Sequence, residues 1–261
     1  MGASILCVGA RPCLALSKKD LLNAGRRMAS PLHIMAIFVI GNAASAQDSC
    51  VFAEAKTANS GRQYLLMHGD HCKPDFELVR PKRDDANILL CIPAAFTGTY
   101  GGICGFYASH GVLGNQNRLD KKIGGGIELA GGSARIFDTG RGASLSPEFG
   151  EKLKTQKESF FQQFQIVKSG KAEGFSDRSS CQRRCIATMN DGRLFVIESA
   201  DSVTFDEFGN DLVNLGVQDA IYTDMGPWSE GWYRDAKGAL VTIGNSRSMT
   251  GKQSNWFVLR K

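Results

Sequence analysis

The stretch Ser180–Asp224, SCQRRCIATMNDGRLFVIESADSVTFDEFGNDLVNLGVQDAIYTD, decides the fold. An apolar run from Cys185 to Met189 meets the polar turn Asn190-Asp191-Gly192-Arg193. A second apolar run, Leu194 to Ile197, stops at Glu198. Two such runs around an Asp-Gly turn predict a β-hairpin. Thr204 with Glu207 three residues on predicts a capped helix start. Phe205, Phe208, Leu212 and Leu215 recur at helical spacing, and Gly216 suits the stop. Ala220 to Thr223 then reads as a strand that ends at Asp224. The unit is strand, turn, strand, helix, strand, with charged side chains delivered at strand ends.

Outward from this unit, the chain of 261 residues is 43% hydrophobic, enough to bury a substantial core. Lys18, Lys19, Arg26 and Arg27 precede a run from Leu32 to Ile40 in which His33 is the one polar residue. Ala44-Ser45-Ala46 follows. A basic start, a short apolar segment and an Ala-x-Ala site predict a secretory signal within residues 1–46, with Gln47 as the first mature residue. The run is short for a membrane span, so no stable span is expected after cleavage. Residues 1–46 hold five Lys/Arg and one acid, +4 of the formal +5, which leaves about +1 for residues 47–261. Net charge therefore gives no case for nucleic-acid binding. The expected location is periplasmic or secreted.

Six cysteines follow residue 46, and an even number in an exported chain suggests disulfides. Cys50–Cys72 and Cys91–Cys104 are the pairings considered. Cys181 and Cys185 would lie about 13 Å apart on one extended strand, beyond disulfide reach. With His68, His71 and Cys72 they match zinc spacing poorly, and no metal ligands are assigned.

Residues 47–261 read as one α+β domain with an antiparallel-rich mixed sheet and flanking helices. A hairpin of Gln63–Met67 with Phe76–Val79 is expected around His68-Gly69-Asp70. Leu89–Cys91, Ile127–Ala130, Ala134–Phe137, Leu240–Ile243 and Trp256–Leu259 read as strands. Residues 147–165 are a second helix candidate, with Ser146 as cap and Pro147 in the first turn, although Gln162 to Val167 also suits a strand. The clusters Gly124-Gly125-Gly126 and Gly131-Gly132-Ser133 lack the Gly-Lys-Ser/Thr of a phosphate loop and read as turns.

The order of these pieces resembles the phosphodiester glycosidase family (the DUF2233 domain). The matching segments are Arg183-Arg184-Cys185-Ile186-Ala187, Val196-Ile197-Glu198, Leu215-Gly216 and Asp224-Met225-Gly226-Pro227-Trp228-Ser229. Ala94-Ala95-Phe96 through Gly102, Gly105 and Phe106 is a looser match to the family's Gly-rich segment. The chain departs from the family where Met-Gly-Pro-Trp replaces a glycine triplet after the final Asp. The resemblance implies cleavage between a sugar's anomeric carbon and a phosphodiester oxygen. Such chemistry needs Arg to hold phosphate, a carboxylate as acid, base or electrostatic stabiliser, and stacking surface for the sugar. Arg183 is the expected phosphate ligand, and Arg184 would point to the opposite face of the strand. Asp224 and Glu198 are the expected carboxylates. Trp228, Trp232 and Tyr233 are candidates for a sugar platform. Ser229, Glu230, Asn255, Gln253, Tyr100 and His110 are candidate polar contacts. A divalent cation at the phosphate is the one cofactor left open. The expected partner is a carbohydrate or sugar phosphodiester. The rival readings are a non-catalytic glycan-binding protein on the same scaffold and a metal-assisted phosphodiesterase.

Overall fold

The computed structural model describes residues 50–116, 119–245 and 248–261. The expected signal at 1–46 lies outside the described residues. In chain order the elements are β1 Cys50–Thr57, β2 Gln63–Asp70, β3 Lys73–Glu77, β4 Ile88–Pro93, β5 Tyr107–Ser109, β6 Val112–Gly114, β7 Gly125–Ala130, β8 Ser133–Asp138, α1 Pro147–Gln156, β9 Ser159–Gln163, β10 Gln165–Lys168, β11 Lys171–Ala172, β12 Arg184–Met189, β13 Leu194–Ser199, α2 Phe205–Asn214, β14 Val217–Tyr222, β15 Gly231–Arg234, β16 Leu240–Ile243 and β17 Trp256–Arg260. They form three sheets: β1-β2-β13-β12-β14-β10-β11, β16-β15-β4-β17-β3 and β6-β5-β9-β7-β8. Every pairing between these strands is antiparallel, so three antiparallel sheets stand where one mixed sheet was expected.

The hairpin at the centre of the first sheet is β12–β13, with Arg184 opposite Glu198 and Ile186 opposite Val196. β14 lies along the other edge of β12, Cys185 opposite Tyr222. Side chains alternate across the strands. Ile186, Val196, Ile221 and Met67 therefore face the core shared with the other two sheets, beside Phe76, Leu90, Phe257, Ile127 and Phe161. Cys185, Ala187, Ile197 and Tyr222 face the opposite way, onto Phe205, Phe208 and Leu212 of α2. That apolar stripe fixes which side of the sheet the helix covers. Thr204 Oγ1 accepts from Glu207 N (3.2 Å) and Glu207 Oε2 accepts from Thr204 N (2.9 Å), the capping box read in the sequence. Gly216 follows α2 at φ +90°, a left-handed turn that leads directly into β14.

Three expectations are corrected. β2 pairs with β1 and β13, and Phe76 lies on β3 in a different sheet, so the hairpin around His68-Gly69-Asp70 does not form. The Phe76 ring packs against Phe161 at 4.9 Å between sheets, and that burial outweighs local pairing with β2. The second helix stops at Gln156, where Lys157 turns left-handed (φ +53°), and Ser159–Gln163 and Gln165–Lys168 are strands. Its start is as read: Ser146 Oγ accepts from Phe149 N at 3.3 Å and Pro147 opens the first turn. The six cysteines form no disulfide among the described residues. Cys91 is buried with Trp232 and Trp256. Cys104 sits instead beside Gly98. The Cys72 thiol donates to Asp70 O at 3.1 Å.

Candidate functional site

At the end of the central hairpin the apolar pattern breaks. Arg184 and Glu198 oppose one another on the face that further along carries Ile186 and Val196. Both are buried, at 0% and 5% exposure. Arg184 Nε donates to Glu198 Oε2 at 2.7 Å, and Nη2 reaches the same oxygen. Nη2 also donates to Ser229 O at 2.9 Å. Glu198 Oε1 accepts from Gln182 Nε2 (2.9 Å) and from Gly244 N (3.2 Å). Gln182 is tied in turn to the Asn245 amide at 3.0 Å. One guanidinium nitrogen, Arg184 Nη1, is buried and has no hydrogen-bond partner among the described residues. Buried polar atoms are rarely left so.

Asp224 stands two residues beyond β14. The preceding residue, Thr223, donates its amide to Arg184 O at 3.1 Å, which holds the chain before Asp224 against the start of β12. Asp224 N donates to Ala94 O at 3.0 Å, and its Oδ2 accepts from Thr97 N at 2.8 Å. Oδ1 accepts a longer bond from Gly226 N, 3.4 Å. The residue is 3% exposed. Burial pushes its carboxyl up to about 6 against the pull of the Thr97 and Gly226 amides and the Trp228 indole. The Trp228 Nε1 is buried and lies near the Asp224 carboxylate without a hydrogen bond of ordinary geometry to it. Thr97 Oγ1 is fixed by Gln253 Oε1 at 3.0 Å and lies 2.9 Å from Ser254 Oγ.

The sequence candidates separate cleanly. Arg184, Glu198 and the Ser229 carbonyl form one hydrogen-bonded group, and Asp224 forms another with the Thr97 and Gly226 amides and the nearby Trp228 indole. Arg183 points to the α2 side, as strand alternation requires. Its Nε donates to Val203 O (2.9 Å), its Nη2 to Ser179 O (2.7 Å), and its guanidinium lies 3.6 Å from the centre of the Phe205 ring. Trp232 is a core residue on β15, fully buried with Trp256 and Val258, and Tyr233 packs in the shared core. Glu230 pairs with Arg80 and Arg83. Asn255 spends its amide on the Ala95 backbone, at 2.7 and 3.0 Å. Tyr100 stands at a loop tip, 97% exposed. His110 lies apart, against Asp75 and Glu77. Thr97, Gln182 and Gly244 belong to the site but were not read from the sequence. Of these, Gln182 alone carried a signal, its place immediately before the arginine pair.

No family model matches the chain, and no curated protein does. Solved structures do. One is the catalytic domain of zebrafish N-acetylglucosamine-1-phosphodiester alpha-N-acetylglucosaminidase, auto-inhibited by its pro-peptide, at 12% identity and TM-score 0.50, covering 84% of each chain. Another is a hypothetical protein from Synechocystis, at 13% identity and TM-score 0.50, covering 81% of this chain and 62% of that one. At these identities the likeness is one of fold.

Proposed function

We propose that the protein is an exported hydrolase that cleaves the bond between a sugar's anomeric carbon and a phosphodiester oxygen. The observations that carry this reading are a buried carboxyl titrating near 6, Asp224, whose chain neighbour Thr223 is bonded to the Arg184 backbone, and the buried Arg184 guanidinium, which keeps one nitrogen uncommitted. A group poised near neutral pH suits proton transfer. The bond from the anomeric carbon to the phosphodiester oxygen breaks as Asp224 gives that oxygen its proton, a water oxygen bonds to the anomeric carbon, and the water's surplus proton passes to the Asp224 carboxylate, which restores the acid. Arg184 Nη1 takes a phosphate oxygen, and Glu198 holds the guanidinium in place through Oε2. The phosphate role passes from Arg183 to Arg184, because the Nε and Nη2 donors of Arg183 are already committed to backbone carbonyls. Trp228, half-buried, offers the sugar a face. The fold shared with a known phosphodiester glycosidase supports the assignment.

The near-complete burial of both carboxylates favours a second reading, a glycan-binding protein without turnover. The test is release of sugar from an aryl phosphodiester of a sugar and from a sugar-1-phosphate diester, with and without chelator. Turnover that Asp224→Asn abolishes supports the hydrolase. Glycan binding with no turnover by a folded protein moves the assignment to the second reading. Activity lost to chelator and restored by metal indicates a metal-assisted phosphodiesterase. Export to the periplasm or medium is checked by N-terminal sequencing of the chain recovered there, with Gln47 as the expected first residue.

A further inference from the structure

Asp75 and Glu77 lie two residues apart on β3, so both side chains leave the same face of the strand. β3 is the outer strand of its sheet. His110 sits at the turn between β5 and β6, in another sheet. Its Nε2 lies 3.6 Å from Asp75 Oδ2 and 3.4 Å from Glu77 Oε1. These separations are long for hydrogen bonds. They are the separations expected of neighbouring ligands around one zinc ion. Bonds of about 2.0–2.2 Å in a tetrahedron put ligand atoms about 3.3–3.5 Å apart. The three ligand atoms all lie within 4.8 Å of one another.

The two carboxylates are held by hydrogen bonds, and the turn that carries His110 is fixed through its backbone. Asp75 Oδ1 accepts from Phe76 N at 2.8 Å. Ser159 Oγ accepts from His110 N at 3.0 Å, and Ser109 Oγ donates to Phe76 O at 3.0 Å. Arg260 donates to Asp75 Oδ2 at 3.1 Å and to Glu77 Oε1. A carboxylate oxygen has two lone pairs, so each keeps one for a metal. Arg260, Lys73 and Lys157 surround the two carboxylates, so the donor atoms and their spacing, not net charge, would select the ion. A cleft of about 210 Å³ opens beside Asp75, His110 and Arg260 and supplies an entry path.

We propose that Asp75, Glu77 and His110 form a binding site for a divalent ion of the zinc class, which ties β3 to the β5–β6 turn. The mixed nitrogen and oxygen donor set suits zinc better than magnesium or calcium. The site is separate from Arg184 and Asp224 and does not depend on the reading given to them.

The test is a calorimetric titration of zinc chloride into the full chain after chelator has been applied and removed, beside His110→Asn and Glu77→Gln. His110 has φ +50°, a conformation asparagine adopts readily, so that variant keeps the turn. Circular dichroism checks the fold of each. The expected result is one zinc per parent chain, bound at least about 10-fold more weakly by each variant. Cobalt in place of zinc should give the visible bands of a four-coordinate site in the parent and not in His110→Asn. No binding by the parent, or binding that both variants retain, overturns the proposal. Binding by Arg260→Gln but not by the parent also overturns it, since Arg260 then fills the ion's place.

Discussion

Replacing Asp224 by asparagine should abolish turnover and, above pH 6, relieve the folded state of a buried charge. The carboxyl has an ordinary value of 3.8 and is pushed up to about 6 in the folded chain, with desolvation the largest cause. A raised value favours the protonated form in the native state. Its contribution is therefore fully present below pH 3.8 and lost as pH rises through 6. The loss is 1.36 × (6 − 3.8), about 3 kcal/mol, of which about 2–3 kcal/mol falls between pH 4 and pH 8. Asparagine does not titrate. It keeps an acceptor for the Thr97 amide but turns an NH₂ towards Gly226 N, which costs about 1–3 kcal/mol at every pH. The absolute effect at one pH is thus a difference of similar terms, whereas its pH dependence isolates the titration. Urea unfolding of parent and variant should be measured at half-unit steps from pH 4 to 8. The parent should lose about 2–3 kcal/mol relative to the variant across that range, most steeply below pH 6. A difference independent of pH would refute the reasoning, because Asp224 would then titrate alike folded and unfolded.

Arg184→Met leaves Glu198 as a buried charge without its partner and should cost about 3–5 kcal/mol in chemical unfolding. The double variant Arg184→Met, Glu198→Leu should regain most of that loss and remain inactive in the sugar-release assay. At Gly244 (φ +81°) an added Cβ would lie 2.1 Å from Ser229 O, the carbonyl that holds Arg184 Nη2. Gly244→Ala should therefore reduce turnover at least about 10-fold through misplacement of Arg184, with a lowered Tm beside it. Thr204→Ala removes the α2 cap and should cost about 1 kcal/mol in urea unfolding with turnover unchanged.

The β12–β13–α2–β14 unit was legible because each part had a local cause: a turn at Asp191-Gly192, a capping box at Thr204 and an apolar period of two or three to four. β1 was not. Its residues after Val51 are exposed, so no alternation marks CVFAEAKT as a strand, and its partner β2 supplies the pattern. Trp232 and Tyr233 of β15 were expected as a sugar platform, for the opposite reason. Gly231-Trp232-Tyr233 looks like an aromatic loop, but Cys91 and Leu90 of β4 draw it into the sheet. Asp224 and Glu198 followed from strand ends, and the ladder set Arg184 opposite Glu198. Which arginine faces Glu198 depended on one residue of register, because Arg183 and Arg184 leave opposite faces. The two amides on the Asp224 carboxylate, from Thr97 and Gly226, come from loops whose sequences announce no such role.

β17 lies between β4 and β3 at the centre of its sheet's C-terminal pairing, and Gln253 and Asn255 just before it fix Thr97 and Ala95. The partners of these bonds are separated by 156 and 160 positions along the chain. Until Gln253–Arg260 has docked, β3 and β4 lack the strand that joins them and the loop that positions Asp224 has nothing to rest on. Assembly of the site is thus a late event of high contact order, which predicts slow folding. The appearance of activity would then serve as a clock for completion of the whole fold.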